Sequence, residues 1–306
     1  MAKKGSVLMI SLWITAILAV FALGLAHRAA LSLQLARYQR DRLQVYCLVK
    51  AKLNQAIVLI KEKADNFDNW MEEIDPQSGF TIVDEGRKIN LTGLGEPELK
   101  QLFLQTLKDL NEEGAANLAK AVIKWITPQA GGEEQGTLLK REPFVIPEEL
   151  LLVLEDFYKD EREPRQKAQA AFSVIKDLIT IYPPKENMIN VNTVPADGKI
   201  LTLFADILAD DAERECAGNL AGAIIKQRNE AAKQYFENKE DIVADSCPGS
   251  ANLLGKLKPK FIVKSNYFRV RAQADVGKVS KTITAIYTLG NGSVGNKAGI
   301  VYWHEN

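Results

Sequence analysis

Between Ser6 and Ala26 no charged residue interrupts a run dominated by Leu, Ile, Val, Ala and Phe. The run has roughly the 20 residues that span a hydrocarbon core as a helix. Beyond Ala26, no glycine or proline appears until Pro76. Over that stretch Leu31, Leu35, Tyr38, Val45, Val49, Leu53, Ile57, Ile60 and Ala64 recur at helical spacing, broken only at Arg42. This is the period of one face of an α-helix. The pattern predicts a single helix of about 55–60 residues, some 80–90 Å long at about 1.5 Å per residue. Its first half is apolar all round, and its second half is amphipathic.

After the helix the period changes. GFTIVDEGRKINL alternates about Asp84-Glu85-Gly86, which predicts a β-hairpin. A long helical region follows, and it repeats itself. INL at Ile89–Leu91 matches INV at Ile189–Val191, and NLAKAVIKW at Asn117–Trp125 matches NLAGAIIKQ at Asn219–Gln227. Between these anchors Leu102 and Phe103 fall against Leu203 and Phe204. Each copy reads as a strand-like lead, a helix, a hairpin and a second helix. The carboxyl end returns to strands in FIVKSNYFRVRAQADVG, SKTITAIYTLG and AGIVYWHEN. The expected fold class is α+β. A long helix packs on an antiparallel sheet made from the early hairpin and the final strands. An α-helical domain with two helix-hairpin-helix-like repeats is inserted into it.

Charge narrows the function. Lys+Arg and Asp+Glu are both 39, so the net charge is zero, whereas a nucleic-acid binder ordinarily carries a basic excess. Helix-hairpin-helix units bind phosphate through backbone N–H groups of a glycine-containing hairpin. Here the hairpins read KDLNEEGAA and ADDAEREC. Asp109, Glu112 and Glu113 in one, and Asp210, Asp211, Glu213 and Glu215 in the other, would repel a phosphate. No nucleic-acid partner is expected, and the repeats read as packing units.

Catalysis has little to work with. His27 and His304 are the two histidines, and neither a glycine-rich phosphate loop nor a His-Glu-x-x-His motif occurs. The chain reads as a non-enzyme. No Cys-x-x-Cys pair is present among Cys47, Cys216 and Cys247, which argues against a structural zinc site. Acidic residues cluster at Asp65, Asp68, Glu72, Glu73 and Asp75, and again at Glu133 and Glu134. Each cluster is either solvated surface or part of a metal site, and no cofactor is assigned.

Lys3 and Lys4 precede the apolar run and place the amino terminus in the cytoplasm by the positive-inside rule, with the rest of the chain across the membrane. Three readings compete. A secretory signal peptide would end at Gly24-Leu25-Ala26. An uncleaved anchor needs nothing further. A prepilin-type leader would be cut between Gly5 and Ser6 and leave the apolar run on the mature chain. The helical pattern continuing past Ala26 favours the third.

This leader and helix resemble those of type IV pilins and pseudopilins. Counting from Ser6, the fifth mature position is Ile10, where most members carry glutamate, and the eighth is Trp13. A missing glutamate with a tryptophan just after it looks like the K-type minor pseudopilin of the type II secretion system. A carboxylate in lipid is costly without a partner, and a subunit at a filament tip has none above it, so Ile10 suits that place. Further likeness lies in PEELLLV (Pro147–Val153), in LITIY (Leu178–Tyr182) leading to INVNT, and in Ser265–Phe268 and Tyr302–Glu305.

The resemblance implies a leader at 1–5, a transmembrane helix at 6–26, a discontinuous pseudopilin domain at 27–92 and 256–306, and an inserted helical domain at 93–255. It implies cleavage and N-methylation by prepilin peptidase at Gly5 and Ser6. It also implies residence in the inner membrane with a periplasmic domain. The implied partners are the I- and J-type minor pseudopilins, the inner-membrane secretion platform and the lipid bilayer. The implied role is to start and cap the pseudopilus that exports folded proteins. Some members bind calcium, but no loop here has a spacing that names ligands.

In an oxidising periplasm Cys216 and Cys247 can bridge; the alternative is three free thiols. Cys47, on the long helix, reads as a small apolar residue. Two other functions fit the same leader and spine: a minor pilin of a type IV pilus, and a membrane-anchored periplasmic binding protein.

Overall fold

The computed structural model describes residues 3–63, 71, 74–127, 143–184, 186–243, 247–290 and 297–305, with side chains from Met9 onward. Helix α1 (Lys3–Lys63) is unbroken over 61 residues, roughly 90 Å of rise. Leu, Ala, Arg, Gln and Lys, all good helix formers, fill it. Lys61 and Lys63 in its last turn face the negative end of its dipole. The chain then passes through β1 (Phe80–Asp84), β2 (Ile89–Asn90), α2 (Glu96–Thr106), α3 (Glu112–Ile126), α4 (Leu150–Phe157), α5 (Pro164–Ile175) and β3 (Ile179–Thr180). A second half runs β4 (Ile189–Asn190), α6 (Lys199–Leu208), α7 (Arg214–Glu230), α8 (Ser250–Leu257) and β5 (Phe261–Ile262). The chain closes with β6 (Tyr267–Val276), β7 (Val279–Thr288) and β8 (Gly299–Glu305).

The main sheet is antiparallel, in the order β1-β6-β7-β8. Strict alternation decides which face meets the helix. Phe80, Ile82, Phe268, Val270, Ala272, Ile283, Ala285 and Tyr287 point one way and form a core with Val45, Val49, Leu53, Ala56 and Ile60 of α1. The two-residue turn between β6 and β7 depends on Gly277, whose φ of 61° suits glycine. Asp41 of α1 lies beside that turn. Further along α1, Lys61 stands 5.9 Å above the Tyr287 ring, and Tyr287 is the register partner of Phe268, which in turn pairs with Asp84. The end of the sheet at Asp84 is therefore the end far from the apolar half of α1.

The inserted helices make a separate head with its own core, and two units build it. In the first, β2 pairs in parallel with β3 (Ile89↔Ile179) around α2 to α5. In the second, β4 pairs in parallel with β5 (Ile189↔Phe261) around α6 to α8. Both open with the same device. The Asn90 side chain accepts the Thr92 N–H at 3.0 Å, and the Asn190 side chain accepts the Asn192 N–H at 3.1 Å. The first helices of the two units, α2 and α6, pack on each other. Phe103 and Phe204 are among the largest fully buried side chains.

Two expectations are corrected. The segment 80–91 is no hairpin: β1 pairs with β6, nearly 190 residues on, and β2 leaves the sheet to pair with β3. Asp84 explains the departure, because its carboxylate accepts the Gly86 N–H at 2.7 Å and turns Glu85–Arg87 into one 3-10 turn. Leu178–Tyr182 is likewise no lead into the second unit, since β3 within it closes the first. The head thus gathers Ile89 and Phe261 into its core, a few residues beyond the expected 93–255 on each side.

Cys216, in the first turn of α7, is bonded to Cys247 ahead of α8, with Cα atoms 6.0 Å apart and a sequence separation of 31. In the chain-entropy picture, closing such a loop stabilises the fold by roughly 3–4 kcal/mol. We predict that Cys216→Ser with Cys247→Ser lowers the head's urea midpoint by an amount matching that figure. A double variant within about 0.5 kcal/mol of the parent would show that the bridge constrains nothing.

Candidate functional site

Two features stand apart from ordinary core packing. The first is the free half of α1. Ile10, Trp13 and Phe21 are 57%, 66% and 68% exposed, and the most apolar window of the helix, with mean hydropathy 2.3, buries nothing. Thr15 turns its hydroxyl back to the carbonyls of Ser11 and Leu12, both at 2.9 Å. The Thr15 hydroxyl is thereby satisfied within the helix itself. The helix is continuous from Lys3, so Lys3, Lys4, Gly5 and Ser6 belong to its first turns; their side chains lie outside the described residues. Leu31, Leu35 and Tyr38 lie on the same stripe as Val45 to Ile60 yet stay exposed. Apolar packing on the sheet starts only beyond Arg42, at Val45. Cys47 is exposed rather than packed, because it falls off the buried stripe.

The second feature is a buried polar seam where the sheet meets the head. Asp84 and Glu85 are both fully buried. Asp84 accepts from the Ser265 hydroxyl at 2.7 Å, from Asn190 Nδ2 at 3.0 Å and from the Thr193 hydroxyl. Burial raises its pKa, opposed by those bonds. Glu85 accepts from Arg269 Nε at 2.7 Å, from Lys88 Nζ at 3.2 Å and from the Thr180 hydroxyl. Burial pushes the Glu85 carboxyl up, but Lys88 and Arg269 pull harder and hold it below the usual glutamate range. In these two residues, β1 is joined to β3, β4 and β6. Tyr182, whose hydroxyl donates to the Val145 carbonyl at 2.9 Å, flanks the seam, and burial raises its pKa to about 12.

The repeat hairpins are occupied by the protein's own bonds. The Asn111 side chain accepts the Gly114 N–H at 2.8 Å in the first. In the second, Lys256 reaches Asp210 and Glu213 at 2.5 and 2.7 Å. His27 lies on the free part of α1 and His304 on β8, both exposed. Of the acidic clusters, Asp65, Asp68, Glu72, Glu73, Glu133 and Glu134 lie outside the described residues. Asp75 caps a turn by accepting the Gln77 N–H. Among the described residues no group of three or more His, Cys, Asp or Glu is placed to hold a metal.

A long amino-terminal helix on an antiparallel sheet, with a helical head set into the chain, is a pilin-like α+β fold. It is similar to a chain in the crystal structure of the GspK-GspI-GspJ complex from the enterotoxigenic Escherichia coli type 2 secretion system. The two share 16% identity and a TM-score of 0.51, over 74% of this chain and 79% of that one. At that identity the likeness is one of fold. No protein-family model matches the chain, and no curated protein matches it in sequence.

The long helix is legible in the sequence, and the seam is not. Asp84-Glu85-Gly86 has the composition of a solvated turn, and Arg269 looks like any outward residue of an alternating strand. The available signal was the asparagine repeated in INL and INV.

Removing Glu85 leaves Lys88, buried, and Arg269, partly buried, without their carboxylate. We predict that Glu85→Ala destabilises the protein by about 3–5 kcal/mol in urea unfolding; a loss under about 1 kcal/mol would contradict the seam's role. Because the folded pKa of Glu85 is depressed, its contribution is present above the ordinary glutamate value and is lost as pH falls through the lower folded value. Glu85→Gln should therefore flatten the acid limb of stability. Asp84 carries the opposite sign, so the comparison is made on Glu85 alone.

Proposed function

We propose that this chain is a K-type minor pseudopilin of a type II secretion system, acting at the tip of the pseudopilus. The observation that carries the reading is the fold likeness to a chain of a complex whose subunits are GspK, GspI and GspJ. The leader Lys3-Lys4-Gly5-Ser6 and the unsatisfied half of α1 support it. In this reading prepilin peptidase cuts between Gly5 and Ser6 and methylates Ser6. The exposed segment around Ile10 and Trp13 then lies in the inner membrane, with the amino terminus in the cytoplasm and the rest in the periplasm.

The physical logic is that of a one-sided building block. The stripe at Leu31, Leu35 and Tyr38 offers a neighbouring subunit the surface that α1 does not cover itself. In lipid the association below it rests on packing rather than on water release. The head sits at the far end of the sheet, where a further subunit would have to stack, and blocks it. One face is left to bind and one is closed, which limits growth to a single direction. I- and J-type minor pseudopilins are the partners, the inner-membrane platform drives growth beneath them, and the role is structural rather than catalytic. Among the described residues no acidic group is placed to hold calcium, and no calcium site is proposed.

The test is intact mass of the chain purified from membranes with and without a prepilin peptidase. Loss of Met1–Gly5 with one added methyl, only when the peptidase is present, is expected, and Gly5→Ala should abolish both processing and secretion. Cleavage after Ala26 would point to a secreted protein, and an uncut chain to a membrane-anchored binding protein. A methylated chain that supports twitching rather than export would reassign it to a type IV pilus.

A further inference from the structure

The face of the sheet turned away from α1 forms the floor of a groove of about 730 Å³, walled on one side by the head. Its floor is polar where the opposite face is apolar. Arg269 and Arg271 of β6 lie beside Thr284 and Ile286 of β7, which pair in turn with His304 and Tyr302 of β8. Five cations line the groove against two carboxylates, Glu148 and Asp177. Glu85, buried beneath, takes up Lys88 and Arg269. Among the described residues Arg87, Arg271 and Lys176 are in no ion pair. In a chain of zero net charge, this concentrates positive charge in one concavity at the boundary of two structural units, a common place for ligand sites.

We propose that this groove binds an extended acidic segment of another protein, its carboxylates held by Arg87, Arg271 and Lys176. The layout of the cations argues for a chain over a small anion. Arg271 pairs with Thr81 on β1, and Arg87 lies beyond the end of that strand. Three strand steps, about 10 Å, run from Thr81 to Asp84 along that strand. Lys176 follows α5 on the head side of the groove. The cations are spread along the groove, an arrangement that suits a peptide presenting a side chain to the same side every second residue, about 7 Å apart. Ile146, Phe172 and Tyr302 give the peptide backbone apolar walls. Charges this accessible bind weakly and are screened by salt, so the site suits a transient partner. The inference does not depend on the pseudopilin reading.

The experiment titrates fluorescein-labelled hexaglutamate with the full chain in detergent micelles and follows fluorescence polarisation. Saturable binding at low ionic strength is expected, lost in high salt, with labelled hexaglutamine not binding. Combining Arg87→Gln, Arg271→Gln and Lys176→Gln should weaken it about tenfold, and Arg271→Gln alone, on an exposed strand position, about threefold. Lys226→Gln, on α7 away from the groove, should change nothing. An unchanged thermal midpoint in Arg271→Gln separates a binding defect from misfolding. Absence of saturable binding, equal binding by the triple variant, or competition by inorganic phosphate at the concentration that peptide requires would each overturn the proposal.

Discussion

Two carboxylates cut off from water sit where the chain leaves the sheet for the head, and the relation between the two halves of the molecule depends on them. Asp84 and Glu85 are adjacent in sequence, yet their bonds reach the first unit through Thr180, the second through Asn190 and Thr193, and the sheet through Arg269. Apolar contact alone is non-directional and would let the head slide on the sheet. A buried charge is costly unless each lone pair finds its donor. Few orientations of the head satisfy both carboxylates at once, and that requirement fixes where the head stands.

Around the seam the molecule has two cores with different tasks. The head core is large, closes on itself through the pair of parallel two-strand ladders, and is tied further by the Cys216–Cys247 bridge. The other core is thin: one stripe of α1 on one face of four strands. It consumes only the upper part of the helix and leaves the lower part, about two-thirds of its length, with apolar side chains unburied. A soluble monomer would not tolerate so long an exposed apolar element. A protein whose helix enters a bilayer and then packs among other helices has a use for it. The head stands at the end of the sheet remote from the apolar part of α1, which in the proposed reading is where it interrupts stacking.

The parts of this design that depend on local periodicity could be read from the chain. The stripe from Val45 to Ile60, the alternation of β6 and β7, and the paired INL and INV leads all announce themselves within windows of a dozen residues. What could not be read is set by contacts across long separations. Phe80–Asp84 seeks a strand partner near residue 270 rather than its neighbour at 89, because the Asx turn at Asp84 redirects the chain. Nothing local distinguishes that turn from a hairpin tip. The same holds for Ile179–Thr180, whose partner lies 90 residues back. Arg42 interrupts the stripe and does mark a boundary, the point where packing on the sheet gives way to the free helix.

The central claim is that this chain is the head-bearing member of a tip assembly, and assembly is its most direct measure. The full chain in detergent, mixed with the I- and J-type minor pseudopilins of the same secretion system, should run as one species in size-exclusion chromatography with light scattering. Its mass should be that of one copy of each. Hydrogen exchange should slow at residues 27–43 in that species and not in the chain alone. Three separate species, or exchange at that segment unchanged on mixing, would contradict the account.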